Sequence, residues 1–133
     1  MATEFNSASG LKQVRGLGSA KGGVHHWWLQ RLTAAGNLVL LVWFAASLVL
    51  LPSLDQSSVR AWIGSPIVAL PLILLILSSF WHARLGVQVM IEDYVRSQGR
   101  KLLAFVALNF FILGTAAVAV FSVLLIVFGG LRG

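Results

Sequence analysis

An all-α integral membrane protein with three transmembrane helices is the fold class that the sequence predicts, on three observations. Hydrophobic residues make up 58% of the chain and charged residues 11%, where an ordinary soluble domain has about a quarter charged. Uncharged runs long enough to cross a bilayer recur three times within 133 residues. The cations cluster at the ends of those runs, the pattern of membrane orientation rather than of a nucleic-acid footprint. A globule of this size cannot bury so much apolar surface, with mean hydropathy +0.88, so lipid must cover it. No cysteine is present, which excludes a disulfide framework, thiolate metal sites and thiol catalysis, and leaves any iron–sulfur cluster to a partner.

Residues 1–23 read as a polar tail, rich in Gly and Ser and carrying Lys12, Arg15 and Lys21, ordered only against a partner. A signal peptide fits poorly: the uncharged run starts after residue 31 and ends at Leu51 and Pro52 without a small-residue cleavage site. Residues 24–31, V-H-H-W-W-L-Q-R, place two Trp beside His and Arg at an apolar edge, the composition of a membrane–water interface. Arg31 falls in the first turn of the first span, where a lipid phosphate and an anionic cofactor group are both open as partners. Residues 32–51 form transmembrane helix 1, with Thr33, Ala34, Ala35, Gly36 and Asn37 giving a small-residue end suited to close helix packing.

Pro52 and the polar residues after it break that helix, and residues 59–64, with Arg60 and Trp62, read as an interfacial piece. Ser65 as N-cap and Pro66 at the first helical position open transmembrane helix 2, residues 66–95, with Pro71 about one turn in. A basic turn at 97–101 leads to transmembrane helix 3, residues 102–128, ending at Gly129 and Gly130. Lys12, Arg15, Lys21 and Arg31 precede helix 1, and Arg96, Arg100 and Lys101 follow helix 2. Arg60 and Arg132 are alone on the other side. The positive-inside rule then puts the N-terminus on the cytoplasmic or matrix side.

The chemistry concentrates in residues 82–94, H-A-R-L-G-V-Q-V-M-I-E-D-Y. A histidine following the uncharged run 67–81 faces protein or a cofactor rather than lipid. At about 100° per residue, Gly86 lies roughly 40° and Ser79 roughly 60° round from His82, so a candidate metal ligand is flanked by small residues that would let a flat macrocycle approach. Asp93 lies about 20° round and roughly 16 Å along, and Tyr94 about 18 Å along, at the membrane surface. Arg84 is roughly 200° round, on the opposite face, where it either snorkels or meets an acidic or carbonyl group of a neighbouring subunit. Two readings of His82 stand open on these grounds, a hydrogen-bonded packing residue between helices and a cofactor ligand. His25 and His26 lie at the surface end of helix 1, so a six-coordinate haem would need its other axial ligand from another chain. An interfacial Tyr beside a carboxylate is also ordinary aromatic-belt chemistry. No phosphate-binding Gly loop, zinc spacing or Ser/His/Asp arrangement occurs, and three spans are too few for a repeat-built transporter.

The segment resembles the signature of the hydrophobic membrane-anchor subunit of succinate dehydrogenase (respiratory complex II), a pattern like H-x-x-x-G-x-x-x-x-x-x-D-Y matched by His82, Gly86, Asp93 and Tyr94. The earlier G-V-H-H-W-W-L-Q-R-L-T-A is similar to the family's segment before its first span, at Gly23, Val24, His25, Arg31, Thr33 and Ala34. The resemblance covers residues 23 to about 128. It implies a heteromeric helix bundle with a second membrane anchor of cytochrome b type, beside a flavoprotein and an iron–sulfur subunit in a bacterial or mitochondrial inner membrane. It implies that His82 is an axial ligand to the iron of haem b shared with that companion anchor, and that Tyr94 hydrogen-bonds ubiquinone with Asp93 close by. Arg31 becomes a candidate partner for a haem propionate. A quinol:fumarate reductase anchor, and a purely structural anchor or assembly protein without haem, are the alternatives.

Overall fold

A computed structural model describes residues 21–129; residues 1–20 of the expected tail and residues 130–133 lie outside it. Four helices follow one another, α1 (Lys21–Val49), α2 (Gln56–Gly64), α3 (Pro66–Tyr94) and α4 (Gln98–Gly129), with no strand among the described residues. At 1.5 Å per residue the three long helices measure about 43–48 Å, more than the roughly 30 Å of a hydrocarbon core. Each contains a window apolar enough to span a membrane. The protein is therefore a multi-pass membrane protein.

The helix boundaries differ from the sequence reading where interface residues are concerned. α1 begins at Lys21 and not at residue 32, so residues 24–31 are its opening turns. The physical reason is backbone satisfaction: entering lipid, N–H and C=O groups have no water, and continuing the helix pairs them. α4 likewise starts at Gln98, shrinking the basic turn to the three residues 95–97. Ser65 does not cap α3 with its hydroxyl. Its carbonyl accepts from Val68 N (3.0 Å) and Ala69 N (2.8 Å), while its own N–H donates to Trp62 O (3.2 Å), so one extended residue closes α2 and opens α3. Pro66 follows at the position where a missing N–H costs nothing. Pro71 sits inside α3 without ending it.

α3 is the central element, packed against α1 on one side and α4 on another, with α2 lying across α3 and α4. Ala69 and Leu72 of α3 and Val123 of α4 form a buried cluster, joined by Phe44 of α1, Ile63 of α2, and Ile73, Ile76 and Val127. This cluster lies at the α2 end of the bundle, where the close of α1 and α4 meets the start of α3. The Phe44 and Trp62 rings, 5.8 Å apart, bind α1 to α2 there. Asn37 is the sole buried polar residue among those described, and large side chains such as Val49 (83% exposed), Ile67 (83%) and Phe110 (74%) point outward. Such a surface is viable only under apolar cover such as lipid.

Candidate functional site

On α1 the half-buried or buried positions His26, Gln30, Thr33, Asn37, Leu40 and Phe44 recur at spacings of three and four, one stripe turned inward. On α3 the run Ile67–Trp81 carries His82 a dozen residues from the Tyr94 end, about 18 Å by helix rise. The two helices run antiparallel, and Thr33 meets His82: Oγ1 stands 3.0 Å from Nδ1. The same hydroxyl is 2.8 Å from Leu29 O and 3.1 Å from Gln30 O within its own helix. His82 is half-buried, as a cofactor-facing or packing residue would be, and its second ring nitrogen, Nε2, is left to other partners.

The small-residue face expected beside His82 is open. Among the described residues, and apart from its own stretch of helix, nothing lies within 4 Å of the point a Cβ would occupy at Gly86, one turn on, and the same holds for Gly36, three residues after Thr33. A half-buried imidazole with Nδ1 held and no partner for Nε2 among the described residues, one turn from a glycine, has the donor chemistry by which a haem is held. Among the described residues no three His, Asp or Glu side chains come together to hold a bare metal ion. His82 is a lone candidate ligand.

The remaining candidates lie apart from it. Asp93 and Tyr94 occupy the last turn of α3, Tyr94 82% exposed, and neither makes a side-chain hydrogen bond to the described residues. Gln88 Nε2 donates to Glu92 Oε1 (2.9 Å), and Lys101 Nζ donates to Glu92 O (3.1 Å), tying the start of α4 to the foot of α3. Arg31 is exposed, its guanidinium carbon 4.3 Å over the Trp27 ring. Two residues from Thr33, it stands about 200° round α1 from the His82 contact. His26 Nε2 and Asn37 Oδ1 are enclosed with no partner among the described residues. Arg84 has a carbonyl partner within this chain: Nε donates to Asn109 Oδ1 of α4, with the guanidinium 5.2 Å over Trp81.

Two residues with consequences for the site had no role in the sequence reading. Thr33 figured there only as a small residue and a motif match; its place on an inward stripe with His26 and Asn37 was the available signal. Asn109, a lone amide in an uncharged helix, was the corresponding signal for Arg84.

The fold and site define a class first: a three-span membrane protein with one half-buried histidine between its first and third helices and an exposed aromatic–acid pair at the end of α3. The family model described as succinate dehydrogenase/fumarate reductase transmembrane subunit matches residues 6–129, and the chain belongs to that family. Among curated proteins it is similar to the succinate dehydrogenase hydrophobic membrane anchor subunit of Rickettsia bellii, 35% identical over 64% of this chain and 68% of that one. The protein of the same description from Rickettsia conorii is 33% identical over 64% of this chain and 68% of its own length. That from Paracoccus denitrificans is 32% identical over 68% and 70%. No solved structure gives a significant match.

Proposed function

We propose that this chain is the hydrophobic anchor of a succinate:ubiquinone oxidoreductase, holding haem b through His82 and supplying Tyr94 and Asp93 to the ubiquinone reduction site. The observation that carries the reading is His82 itself, a membrane-embedded imidazole held at Nδ1 beside the open face of Gly86. Family membership and the names of the relatives support succinate oxidation as the direction. The anchor of a quinol:fumarate reductase is favoured only by the family's joint description.

In this reading the second axial ligand comes from a companion membrane anchor of cytochrome b type, and a flavoprotein and an iron–sulfur subunit dock at the Tyr94 end. The haem, when bound, supplies a one-electron redox centre in the membrane. The residues of this chain bind, orient and exclude water. His82 offers Nε2, and the bare helix at Gly86 lets a flat ring lie close. The Tyr94 phenol donates to a quinone carbonyl, which accumulates negative charge as electrons arrive, and the Asp93 carboxylate beside it can hand on a proton. The exposure of both side chains at the foot of α3 supports a site completed by other subunits. Arg31, in the first turn of the first span with its guanidinium over the Trp27 ring, is the candidate for a propionate.

The test is His82→Ala in the purified complex. Loss or shift of the b-type absorption bands, with all subunits retained, is the expected result; unchanged bands would remove the ligand assignment. Orientation is checked separately with cysteines at Ser9 and Ser57, which should react with an impermeant reagent from opposite sides, Ser9 from the cytoplasmic or matrix side.

A further inference from the structure

We infer that Thr33 is a positioning residue that sets the tautomer and ring orientation of His82, making Nε2 the atom offered to iron; this rests on the haem-anchor reading above. Thr33 has one hydroxyl proton and two lone pairs. Two backbone carbonyls of its own helix stand at 2.8 Å and 3.1 Å, and a threonine within a helix characteristically gives its proton to such a carbonyl. The proton therefore goes to Leu29 O, the shorter contact. What Oγ1 then presents to the imidazole, 3.0 Å away, is a lone pair, and the imidazole must answer with N–H. A neutral imidazole protonated at Nδ1 carries its lone pair at Nε2.

The reverse arrangement has the opposite chemistry. Were the Thr33 proton directed at Nδ1, the ring proton would sit on Nε2 and His82 could not bind a metal. The carbonyl of Leu29 thus acts at one remove, by occupying the hydroxyl proton. With this contact the two readings of His82 are compatible: the ring packs through Nδ1 and leaves Nε2 to serve as a ligand. The acceptor type matters as well. A hydroxyl is neutral and a weaker acceptor than a carboxylate, so it fixes the ring while drawing little charge onto it. Removing the acceptor makes His82 a poorer electron donor, which disfavours the ferric state and raises the haem potential.

Three substitutions in the purified complex decide the matter, read as haem midpoint potential and as the rate of haem loss to a competing apoprotein. Thr33→Val keeps the shape and removes the acceptor. It should raise the potential and weaken haem retention by about 10- to 100-fold, the usual range for losing such an outer partner. Thr33→Ser should restore both values. Unchanged potential and retention in Thr33→Val overturn the inference, as does failure of Thr33→Ser to rescue them, which would make the role steric. His82→Ala is the third arm: if it leaves the haem bands intact, the haem-anchor reading has failed, whereas a silent Thr33→Val with haem lost in His82→Ala overturns only the role of Thr33. Should Thr33→Val fail to assemble, hyperfine spectroscopy of the unaltered complex carrying ¹⁵N-histidine gives the answer. An exchangeable proton on the His82 Nδ1 supports the inference, and a bare Nδ1 overturns it.

Discussion

Arg84 Nε donates a 2.6 Å hydrogen bond to Oδ1 of Asn109, joining α3 to α4 two residues beyond the histidine. Asn109 in turn gives an amide hydrogen to Phe105 O at 2.9 Å, so its orientation is set by its own helix. A guanidinium among apolar helices is costly without an acceptor. Measured interhelical hydrogen bonds in membranes average about 0.6 kcal/mol and reach roughly 1.7, and a charged donor belongs near the upper end. Asn109→Leu should therefore destabilise the assembled chain by about 1–2 kcal/mol, and Asn109→Asp should not. Detergent-denaturation midpoints of the two variants check this, and the haem bands should stay in place in both, because Arg84 lies on the face away from His82.

Tyr94→Phe keeps the ring and removes only the phenol donor. One hydrogen bond to an atom gaining charge is worth about 1–3 kcal/mol, so quinone reduction should fall roughly ten- to a hundredfold. Succinate oxidation measured with a dye that accepts electrons from the peripheral subunits should be unchanged. A parallel loss of both activities would show Tyr94 holding the assembly together instead.

At Gly86 an added Cβ would meet nothing within 4 Å outside its own helix among the described residues, so a side chain there starts into open space. Gly86→Leu should leave helix content and membrane insertion unchanged, yet lower the haem content of the purified complex. Haem incorporation equal to that of the unaltered complex would show that the open face at Gly86 is not the surface a macrocycle uses.

At the other end of the bundle, the Ser57 hydroxyl, then the Ser58 hydroxyl and the Ser58 N–H, hold the Asp55 carboxylate down to about 2 from its ordinary 3.8. Asp55 is the N-cap of α2, accepting from Ser58 N at 3.3 Å. Because the folded value is the lower one, the cap's contribution is complete above 3.8 and is lost as pH falls from there through about 2. Amide exchange at Ser58 and Val59 should be slow and pH-independent in relative protection near neutrality, then lose that protection in this acid window. Asp55→Asn keeps the acceptor oxygen and should abolish the acid dependence.

The number of spans, the break at Pro52 and the place of Pro66 at the start of α3 were legible because each is a local property, uncharged length or a missing N–H. Ser65, by contrast, opens α3 through its backbone and not through the hydroxyl cap its side chain suggests. The Gly86 face beside His82 was legible from helix periodicity alone. The true start of α1 was not, since Gly22, Gly23 and the paired tryptophans read locally as tail and aromatic belt, while the demand to satisfy backbone groups in lipid carries the helix back to Lys21. The partners of His82 and Arg84 were not legible for a different reason. Thr33 precedes His82 by 49 residues and Asn109 follows Arg84 by 25, and register between two helices is decided by packing, not by either helix's own pattern.

The cluster of Ala69, Leu72, Val123, Phe44 and Ile63 gathers buried and half-buried apolar side chains at the α2 end, a helix length away from Tyr94, while Leu85, the most buried of the described residues, sits three positions from His82. Packing and the proposed redox chemistry thus share the middle of α3 at His82 and Leu85 and part only toward the exposed Tyr94. One consequence is evolutionary: the exposed residues around the phenol can drift toward another quinone with little penalty in folding, whereas those around the imidazole also hold the spans together through Thr33, Leu85 and the Arg84–Asn109 bond. Another is experimental. A lesion near Tyr94 can be read as chemistry, and a lesion near Leu72 as architecture.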